Sequence, residues 1–303
     1  MIIHDEPLSD WEPRDAPSAV TIGVLDGVHR GHRALIDRLD DGLVPTVLTF
    51  DPHPVEVFYP GTPPRLITTV AERIRLFESA GVDQVGILDL REIKDLEPEA
   101  FVIDVLVQKL NVARVVVGPD FRFGKDRSGD VEVLRGMGGD LGFDVEEIEF
   151  VGDHDAVMAS SRIRELIESG DVSGAAEALG TRFMVTNVVV AGDRRGREIG
   201  FPTANISPPE RKVVPGNGVY AAYVNINDEA FQAAVNVGVR PTFGGGALFI
   251  EAFILDFDSE IYGEDLTVEF VEYLRSELKF NGVDDLVVAM KEDVARCRQL
   301  LAI

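Results

Sequence analysis

The feature that most constrains the fold is an alternation of apolar strand patterns with helical patterns over the first 180 residues. Apolar, β-branched runs occur at residues 19–24, 44–50, 84–88, 114–118 and 144–150. Helical patterns lie between them, for example over residues 70–80 and 99–110. Strands that alternate with helices pair in parallel through right-handed crossovers. The first part of the chain is therefore predicted to be an α/β domain with an open parallel sheet.

The pattern changes near residue 180, where short β-rich runs separated by Gly and Pro begin. These runs cover residues 183–191, 218–226, 231–237, 247–257 and 266–274. They predict a small antiparallel β-barrel, followed by one C-terminal helix that Asn281 caps. An apolar seam on that helix is formed by Val287, Met290, Val294, Cys297 and Leu301. The predicted domains are residues 1–181 and 182–303.

Composition narrows the class of protein. The 303 residues contain 45% hydrophobic residues, which is typical of a globular chain, and carry a formal net charge of −24. A strongly acidic chain without a basic face argues against nucleic-acid binding. The acidity itself has two open interpretations, adaptation to a saline habitat or acidic drift in a GC-rich genome.

Hydropathy and cysteine usage predict where the protein works. No apolar run approaches the roughly 18 residues of a membrane span, and the acidic N-terminus lacks the basic region of a secretory signal. Cys297 is the single cysteine, so no intrachain disulfide can form. We therefore expect a cytoplasmic protein without a membrane partner.

The richest local motif is GVLDGVHRGH at residues 23–32, which follows the first strand and opens a helix. A helix N-terminus offers free N–H groups and partial positive charge to an anion, and His29 and His32 add two donors. The motif predicts a phosphate site that includes Gly23, Asp26 and Gly31. Two alternatives remain open: a glycine-rich turn with incidental histidines, and a metal site, for which the motif has no nearby cysteine or third histidine.

Polar stretches after later strands fall where a ligand of an open sheet would bind. His53, Asp120 and Phe121 are candidates for lining the ligand pocket, and Asp120 also suits ribose or Mg²⁺ contact. At a later helix start, Ser160 and Ser161 are candidate ligands of a phosphate oxygen, or simply caps. Arg164 is a candidate clamp for phosphates, or else a solvated helix charge. These three follow in the order SSRIR at residues 160–164.

A second constellation lies in the β-rich half. The stretch GDRRGREIGFPTAN at residues 192–205 is a basic loop in which Gly192 and Gly200 would let the backbone fold over phosphates. Thr203 and Asn205 offer hard oxygen ligands for Mg²⁺ with ATP. An exposed hairpin loop with solvated arginines is the alternative.

Glu251 is the only acid in the apolar stretch ALFIEAFIL at residues 247–255. A carboxylate among apolar neighbours needs a partner or a function. It suits a general base that takes a proton from a hydroxyl group. A salt bridge at the barrel mouth, for example with Arg275, is the alternative.

Both halves resemble one family, the bacterial bifunctional riboflavin kinase/FAD synthetases. The N-terminal motif is similar to the G-x-F-D-G-V-H-x-G-H of HxGH nucleotidylyltransferases, with Leu25 where Phe is usual. The second half matches in the order G-F-P-T-A-N and a strand Glu. The resemblance implies a Rossmann-like sheet and a kinase barrel.

The resemblance also implies chemistry. The barrel would phosphorylate riboflavin with ATP to FMN, with Mg²⁺ on Thr203 and Asn205 and with Glu251 as base. The first domain would adenylylate FMN to FAD and release pyrophosphate, with His29, His32 and Arg164 stabilising phosphate charge. The expected partners are the small molecules riboflavin, FMN and ATP, and the oligomeric state stays open.

Three other functions remain open at this point. The chain could be a nucleotidylyltransferase for another cofactor precursor, such as phosphopantetheine, with a regulatory barrel. It could be a flavin or nucleotide sensor without turnover. A structural or nucleic-acid scaffold fits the net charge of −24 worst.

Overall fold

A computed structural model describes residues 1–59, 61, 63–148, 160–192, 196, 199–227, 229–240 and 247–302. Six parallel strands form the first sheet in the order β1–β4–β3–β2–β5–β6. They are β1 (Ile2–His4), β2 (Ser18–Ile22), β3 (Val44–Phe50), β4 (Gln84–Leu88), β5 (Val112–Val117) and β6 (Asp144–Glu147). The open parallel sheet predicted from the alternation is confirmed.

Helices connect these strands. They are α1 (Arg30–Ile36), α2 (Pro54–Phe58), α3 (Val70–Ser79), α4 (Leu90–Ile93), α5 (Pro98–Ala100) and α6 (Val131–Leu141). A π-helical segment (Phe101–Val107) continues α5, and 3₁₀ turns occur at Leu8–Asp10 and Lys125–Arg127. The strand β2 is buried along its whole length, as expected of a parallel strand covered on both faces.

Three details differ from the sequence expectations. The edge strand β1 has no counterpart in them, because three residues give too short a pattern to detect. The predicted helix at residues 99–110 is a short α-helix followed by the π-helical segment. The predicted strand at residues 144–150 ends at Glu147, and its last two positions lie outside the described residues.

The second sheet is antiparallel, with the order β7–β12–β9–β10–β11–β8. Its strands are β7 (Met184–Val188), β8 (Ala204–Ile206), β9 (Gly218–Ile226), β10 (Glu229–Arg240), β11 (Ala247–Ile254) and β12 (Asp265–Arg275). An isolated bridge between Val190 and Asn205 joins the two ends of the sheet. The six strands therefore form a nearly closed barrel, as predicted.

Three further helices belong with this sheet: α7 (Ser160–Ser169), α8 (Val172–Leu179) and α9 (Val283–Leu300). Cys297 and Leu301 are fully buried against Val219 and Ala221 of β9, so α9 covers one face of the barrel wall. The predicted cap at Asn281 is wrong. Gly282 occupies the N-cap position without a side-chain hydrogen bond, because the helix begins one residue later than the pattern indicates.

The chain divides into two compact units. The first contains Met1–Pro64 and Thr68–Met158, and the second contains Arg65–Ile67 and Ala159–Ile303. The domain boundary at residue 181 stays a prediction. In the part of the chain that the structure describes, no helix is long and apolar enough to cross a membrane.

Candidate active sites

The histidine motif lies at the point where the strand order of the parallel sheet reverses. Strand β2 pairs with β3 on one side and with β5 on the other, although β5 follows β4 in the chain. Loops after such neighbouring strands border the crevice that binds ligands in open α/β sheets. His29 ends the loop after β2, His32 lies in the first turn of the helix α1 that follows, and the loop after β5 carries Asp120 and Phe121.

His29 and His32 form one stacked pair at the start of α1. His29 is the N-cap residue, and its Nδ1 accepts a hydrogen bond of 3.4 Å from the backbone N–H of His32. The two rings stack with centroids 3.6 Å apart and planes 21° apart. Because Nδ1 of His29 acts as an acceptor, the neutral ring carries its proton on Nε2. That N–H is a donor for a ligand.

Both imidazoles are neutral at pH 7. Burial lowers the pKa of His29 to about 4, although the nearby Asp26 carboxylate acts in the opposite direction. Burial also lowers the pKa of His32 well below its usual value, and His29 and Arg73 add to this. The pair therefore supplies oriented N–H dipoles rather than positive charges.

Asp26 fixes the shape of the loop. Its buried Oδ1 accepts hydrogen bonds from the backbone N–H of Thr68 at 2.9 Å and from Thr68 Oγ1 at 3.0 Å. Thr68 Oγ1 in turn accepts a bond from the N–H of Gly27 at 3.0 Å. These contacts hold the loop in shape, and the place of Asp26 in a phosphate site stays a prediction.

Arg73 of α3 is a functional candidate that the sequence analysis missed. Its side chain is 2% exposed, and its Nη1 donates to the carbonyl of Val24 at 2.6 Å and to Thr49 Oγ1 at 2.8 Å. The guanidinium thus contacts the backbone of the segment at residues 23–32, which is called the histidine loop below. Its position four residues before the buried Phe77, on the apolar side of α3, is a sequence signal that could have identified it.

The backbone of the histidine loop is strained. Leu25 and Val28 have φ values of 50° and 43°, and Gly27 between them has a φ of 85°. A β-branched residue rarely adopts a positive φ, which costs on the order of 1–3 kcal/mol. The buried contacts of Asp26 and Arg73 hold the loop in this conformation.

The remaining predicted residues of this unit have simpler surroundings. His53 caps α2 in a capping box with Glu56, its Nδ1 accepting from the N–H of Val55 at 3.2 Å. Asp120 is exposed, and Phe121 stacks on Phe123 with ring centroids 5.5 Å apart. Gly23 donates its N–H to the carbonyl of Leu48 at 3.0 Å, and Gly31 lies in the first turn of α1.

Ser160, Ser161 and Arg164 lie on α7. This helix begins at Ser160 and packs on α8, which in turn packs on β12, so its contacts assign it to the second unit. Ser161 is exposed, and Ser160 and Arg164 are half-buried.

In the barrel, the register places a polar row on one face of the wall. Asn205 of β8 lies opposite Glu251 of β11, and Glu251 lies opposite Asn236 of β10. Directly opposed residues in antiparallel strands project to the same side, with Cβ atoms about 5 Å apart. The neighbouring β11 residues Ile250 and Ala252 point to the other, fully buried side.

Thr203 lies in the glycine-containing stretch at residues 192–205 and contacts two members of the polar row, Glu251 and Asn205. Its Oγ1 donates a hydrogen bond of 2.5 Å to Glu251 Oε1, and its carbonyl accepts a bond of 3.4 Å from Asn205 Nδ2. A Cβ on Gly192 would lie 2.4 Å from Asn205 Nδ2, so only glycine allows this approach. Gly200 has a φ of 83° in the turn before Phe201. Residues 193–195, 197 and 198 of the predicted loop lie outside the described residues.

Arg275 does not pair with Glu251, so the salt bridge with Arg275 that was considered for this carboxylate is not formed. Its Nε and Nη2 donate to the two oxygens of Asp293 on α9 at 2.9 and 2.6 Å. Among the residues that the structure describes, Thr203 is the hydrogen-bond partner of Glu251.

Two cavities of the second unit meet at Thr203. The first, of about 440 Å³, is lined by Gly192, Asn205 and the segment from Phe257 to Tyr262. The second, of about 350 Å³, is lined by Glu251, Asn236 and apolar side chains that include Phe253, Phe280 and Met290. Thr203 lines both cavities. Both volumes are in the range of small-molecule sites.

Comparison with known proteins agrees with this division of the chain. The family model FAD synthetase matches residues 12–162, and the family model riboflavin kinase matches residues 179–301. The bifunctional riboflavin kinase/FMN adenylyltransferase of Pseudomonas fluorescens is 35% identical over 302 residues, which cover 97% of this chain and 96% of that protein. The protein of the same name from Bacillus subtilis is 34% identical, with 92% and 90% covered.

A solved structure, named as a macrolide-efflux protein from Streptococcus pneumoniae, has a TM-score of 0.88 and 31% identity. The match covers 98% of this chain and 99% of that one. These matches identify the parallel sheet and the barrel as the two domains of an ATP-using transferase. The chain belongs to the family of bifunctional riboflavin kinase/FMN adenylyltransferases.

Proposed function

We propose that the second unit phosphorylates riboflavin with ATP and that the first unit adenylylates the FMN so formed. The observation that carries the kinase half is the position of Thr203, which lines both cavities and donates to Glu251. The polar cavity beside Gly192 and Asn205 suits the nucleotide. The apolar cavity beside Glu251 suits the flavin, so the phosphoryl group would pass at the wall that the cavities share.

The residues present fit a magnesium ion that arrives with the nucleotide. In the described part of the chain no three His, Cys, Asp or Glu side chains form a metal site. Mg²⁺ in phosphoryl-transfer sites keeps several waters and phosphate oxygens and needs few protein ligands. Thr203 Oγ1 and Asn205 Oδ1 would hold it, and when bound it would neutralise charge on the phosphates.

In the kinase step, Glu251 accepts the proton from the terminal hydroxyl of riboflavin. The hydroxyl oxygen forms a bond to the γ-phosphorus of ATP. At the same time the bond between that phosphorus and the β,γ-bridging oxygen breaks, and ADP leaves with this oxygen. The hydrogen bond from Thr203 at 2.5 Å orients the carboxylate towards the shared wall. The apolar lining from Phe253 and Met290 keeps water away from the transferring group.

The adenylyl transfer needs no general base. A phosphate oxygen of FMN is already anionic at pH 7, so it attacks the α-phosphorus of ATP directly and pyrophosphate leaves. His29 and His32, with the amide groups that begin α1, stabilise the charge of the transferring phosphate. Arg164, Ser160 and Ser161, which belong to the second unit, remain candidates for binding phosphate oxygens of a nucleotide. His53, Asp120 and Phe121 would border the flavin.

The partners follow from this chemistry. We propose that riboflavin, FMN and ATP are the ligands, that nucleic acid is not one, and that the enzyme works in the reducing cytoplasm. The net charge of −24 supports the exclusion of nucleic acid, and the single, buried Cys297 supports a reducing compartment.

One assay tests the whole proposal. The purified protein is incubated with riboflavin, ATP and MgCl₂, and riboflavin, FMN and FAD are separated by chromatography over time. FMN should appear first and FAD after it, with pyrophosphate released in step with FAD. A protein that binds flavin tightly without forming either product would contradict the proposal and favour a sensor.

A further inference from the structure

Asn236 occupies a position in the kinase barrel that the proposed chemistry leaves unexplained. It lies on β10 directly between Glu251 of β11 and Val219 of β9, and it lines the apolar cavity. On this face Glu251 and Asn236 are therefore nearest neighbours across the strands, with Cβ atoms about 5 Å apart.

The amide of Asn236 is incompletely satisfied. Its Oδ1 is buried and has no hydrogen-bond partner in the part of the chain that the structure describes. Other asparagines of this unit do bond their amides: Asn187 Oδ1 accepts from the N–H of Val188 at 2.8 Å, and Asn225 Nδ2 donates to Glu269 at 2.8 Å. A buried polar atom without a partner is costly and calls for an explanation.

We propose that Asn236 is a specificity-determining residue that hydrogen-bonds a secondary hydroxyl of the ribityl chain of riboflavin, an inference that rests on the proposed kinase function. A hydroxyl group both donates and accepts, so it satisfies the amide in either orientation. Glu251 takes the terminal hydroxyl, and the neighbouring hydroxyls of the same chain are the substrate groups closest to Glu251.

The rest of the cavity favours this assignment over a contact with the flavin ring. Leu278, Phe280, Leu286 and Met290 line the same cavity and provide apolar surface for the ring system. The polar residues Asn236 and Glu251 are adjacent in register, so they mark the part of the cavity that receives the polyol. A site built to bond a hydroxyl rejects an analogue that lacks it.

The test is a matrix of enzymes and substrates. Wild type and Asn236→Ala are assayed for kcat/KM with riboflavin and with its 2′-, 3′- and 4′-deoxy analogues. In the wild type, kcat/KM for one of the analogues should be roughly 10- to 100-fold lower than for riboflavin, which is the effect of one buried hydrogen bond. Asn236→Ala should lose a similar factor with riboflavin and show no further loss with that analogue.

Controls separate this inference from folding and from the proposed function. Asn225→Ala changes an asparagine of the neighbouring strand and should keep the wild-type selectivity. FAD formation from supplied FMN should be unchanged in all variants, and Asn236→Ser provides a second variant if alanine prevents folding. Wild type that makes no FMN refutes the kinase function and the inference together. Wild type that makes FMN, with the same deoxy penalties in the Asn236 variants, overturns the inference alone.

Discussion

The two candidate sites of this chain present opposite sets of side chains. The histidine loop of the first unit offers donors, namely two neutral imidazoles and the amides at the start of α1. The barrel offers oxygens from Thr203, Asn205 and Glu251. One site is therefore suited to contact phosphate directly, and the other is suited to a metal ion and a proton.

The nucleophiles explain this difference. An alcohol must lose a proton when it attacks phosphorus, so the kinase needs a carboxylate beside the hydroxyl. A phosphate monoester is already charged, so the adenylyltransferase needs charge stabilisation and no base. The comparison teaches that the protonation state of the attacking group determines which residues the site requires.

The substitution Glu251→Gln tests most directly whether the kinase site depends on a general base that the other site does not need. Loss of the base should lower kcat for FMN formation by about 10²–10⁴-fold, the usual contribution of general base catalysis. FAD formation from supplied FMN should be unchanged, and Glu229→Gln on the exposed start of β10 serves as the matched control. Chromatographic rates for both products measure this. A kinase rate equal to wild type would remove Glu251 as the base.

The converse change is His32→Ala in the first unit. Loss of one preorganised donor should lower FAD formation by about 10²–10³-fold, or roughly 3 kcal/mol of transition-state stabilisation. FMN formation in the same preparation is the internal control and should stay at the wild-type rate. If both rates fell together, the assignment of one chemistry to each unit would be wrong.

Arg73→Lys tests whether the hydrogen bonds of the Arg73 guanidinium support the histidine loop. Lysine keeps the charge but loses the paired contacts of 2.6 and 2.8 Å to Val24 and Thr49. We expect a loss of about 1.5–3 kcal/mol in the free energy of unfolding.

A second variant, Arg73→Met, loses the same hydrogen bonds and also removes a charge that lowers the pKa of His32. The acid limb of the pH profile of FAD synthesis should therefore shift to higher pH in this variant. A purely structural role predicts the same loss of stability with an unshifted profile.

The smallest expected effect is a pH dependence of stability that belongs to the first unit. Burial lowers the pKa of His29 to about 4 in the folded chain. In the unfolded chain this imidazole has its usual pKa near 6.5, so on acidification the unfolded state binds the proton first. This stability is present above pH 6.5 and is lost as pH falls towards 4, by about 2 kcal/mol at pH 5.

Urea unfolding of wild type and His29→Asn at pH 5–8 and constant salt measures this contribution. Asparagine also caps a helix but does not titrate, so the variant should show a weaker loss on acidification. Equal slopes for the two proteins would exclude His29 as the titrating group.

Much of the architecture could be predicted because the relevant signals are local. The runs that became β3, β4 and β9 are dense enough in β-branched and apolar residues for their ends to be found from the sequence. The histidine motif could be assigned to a strand-to-helix turn because its glycines and helix start are adjacent in the chain. The predicted Asn281 cap is wrong because the helix begins one residue later, with Gly282 at the N-cap, and helix ends are uncertain by a residue or two in a sequence pattern.

The supporting contacts of the sites could not be predicted in the same way. Arg73 reaches Val24 across 49 positions of sequence, so its place on the apolar side of α3 indicates burial but not the group that it contacts. The alignment of Asn205, Glu251 and Asn236 depends on the register of three strands that a single-residue slip would reverse. Such pairings follow from closure of the barrel, which the sequence pattern alone does not define.

Cys297 lies on α9 and is buried against the barrel wall, and this burial raises the pKa of its thiol to about 12. The burial has a practical consequence for spectroscopy. Cys297 is the sole native thiol of the chain, and its Sγ is held against the carbonyl of Ala233 at 3.6 Å. A maleimide dye added to the native enzyme at neutral pH should leave it unlabelled. Fluorophores can therefore be attached at a single engineered cysteine on either unit, with no need to remove the natural one first.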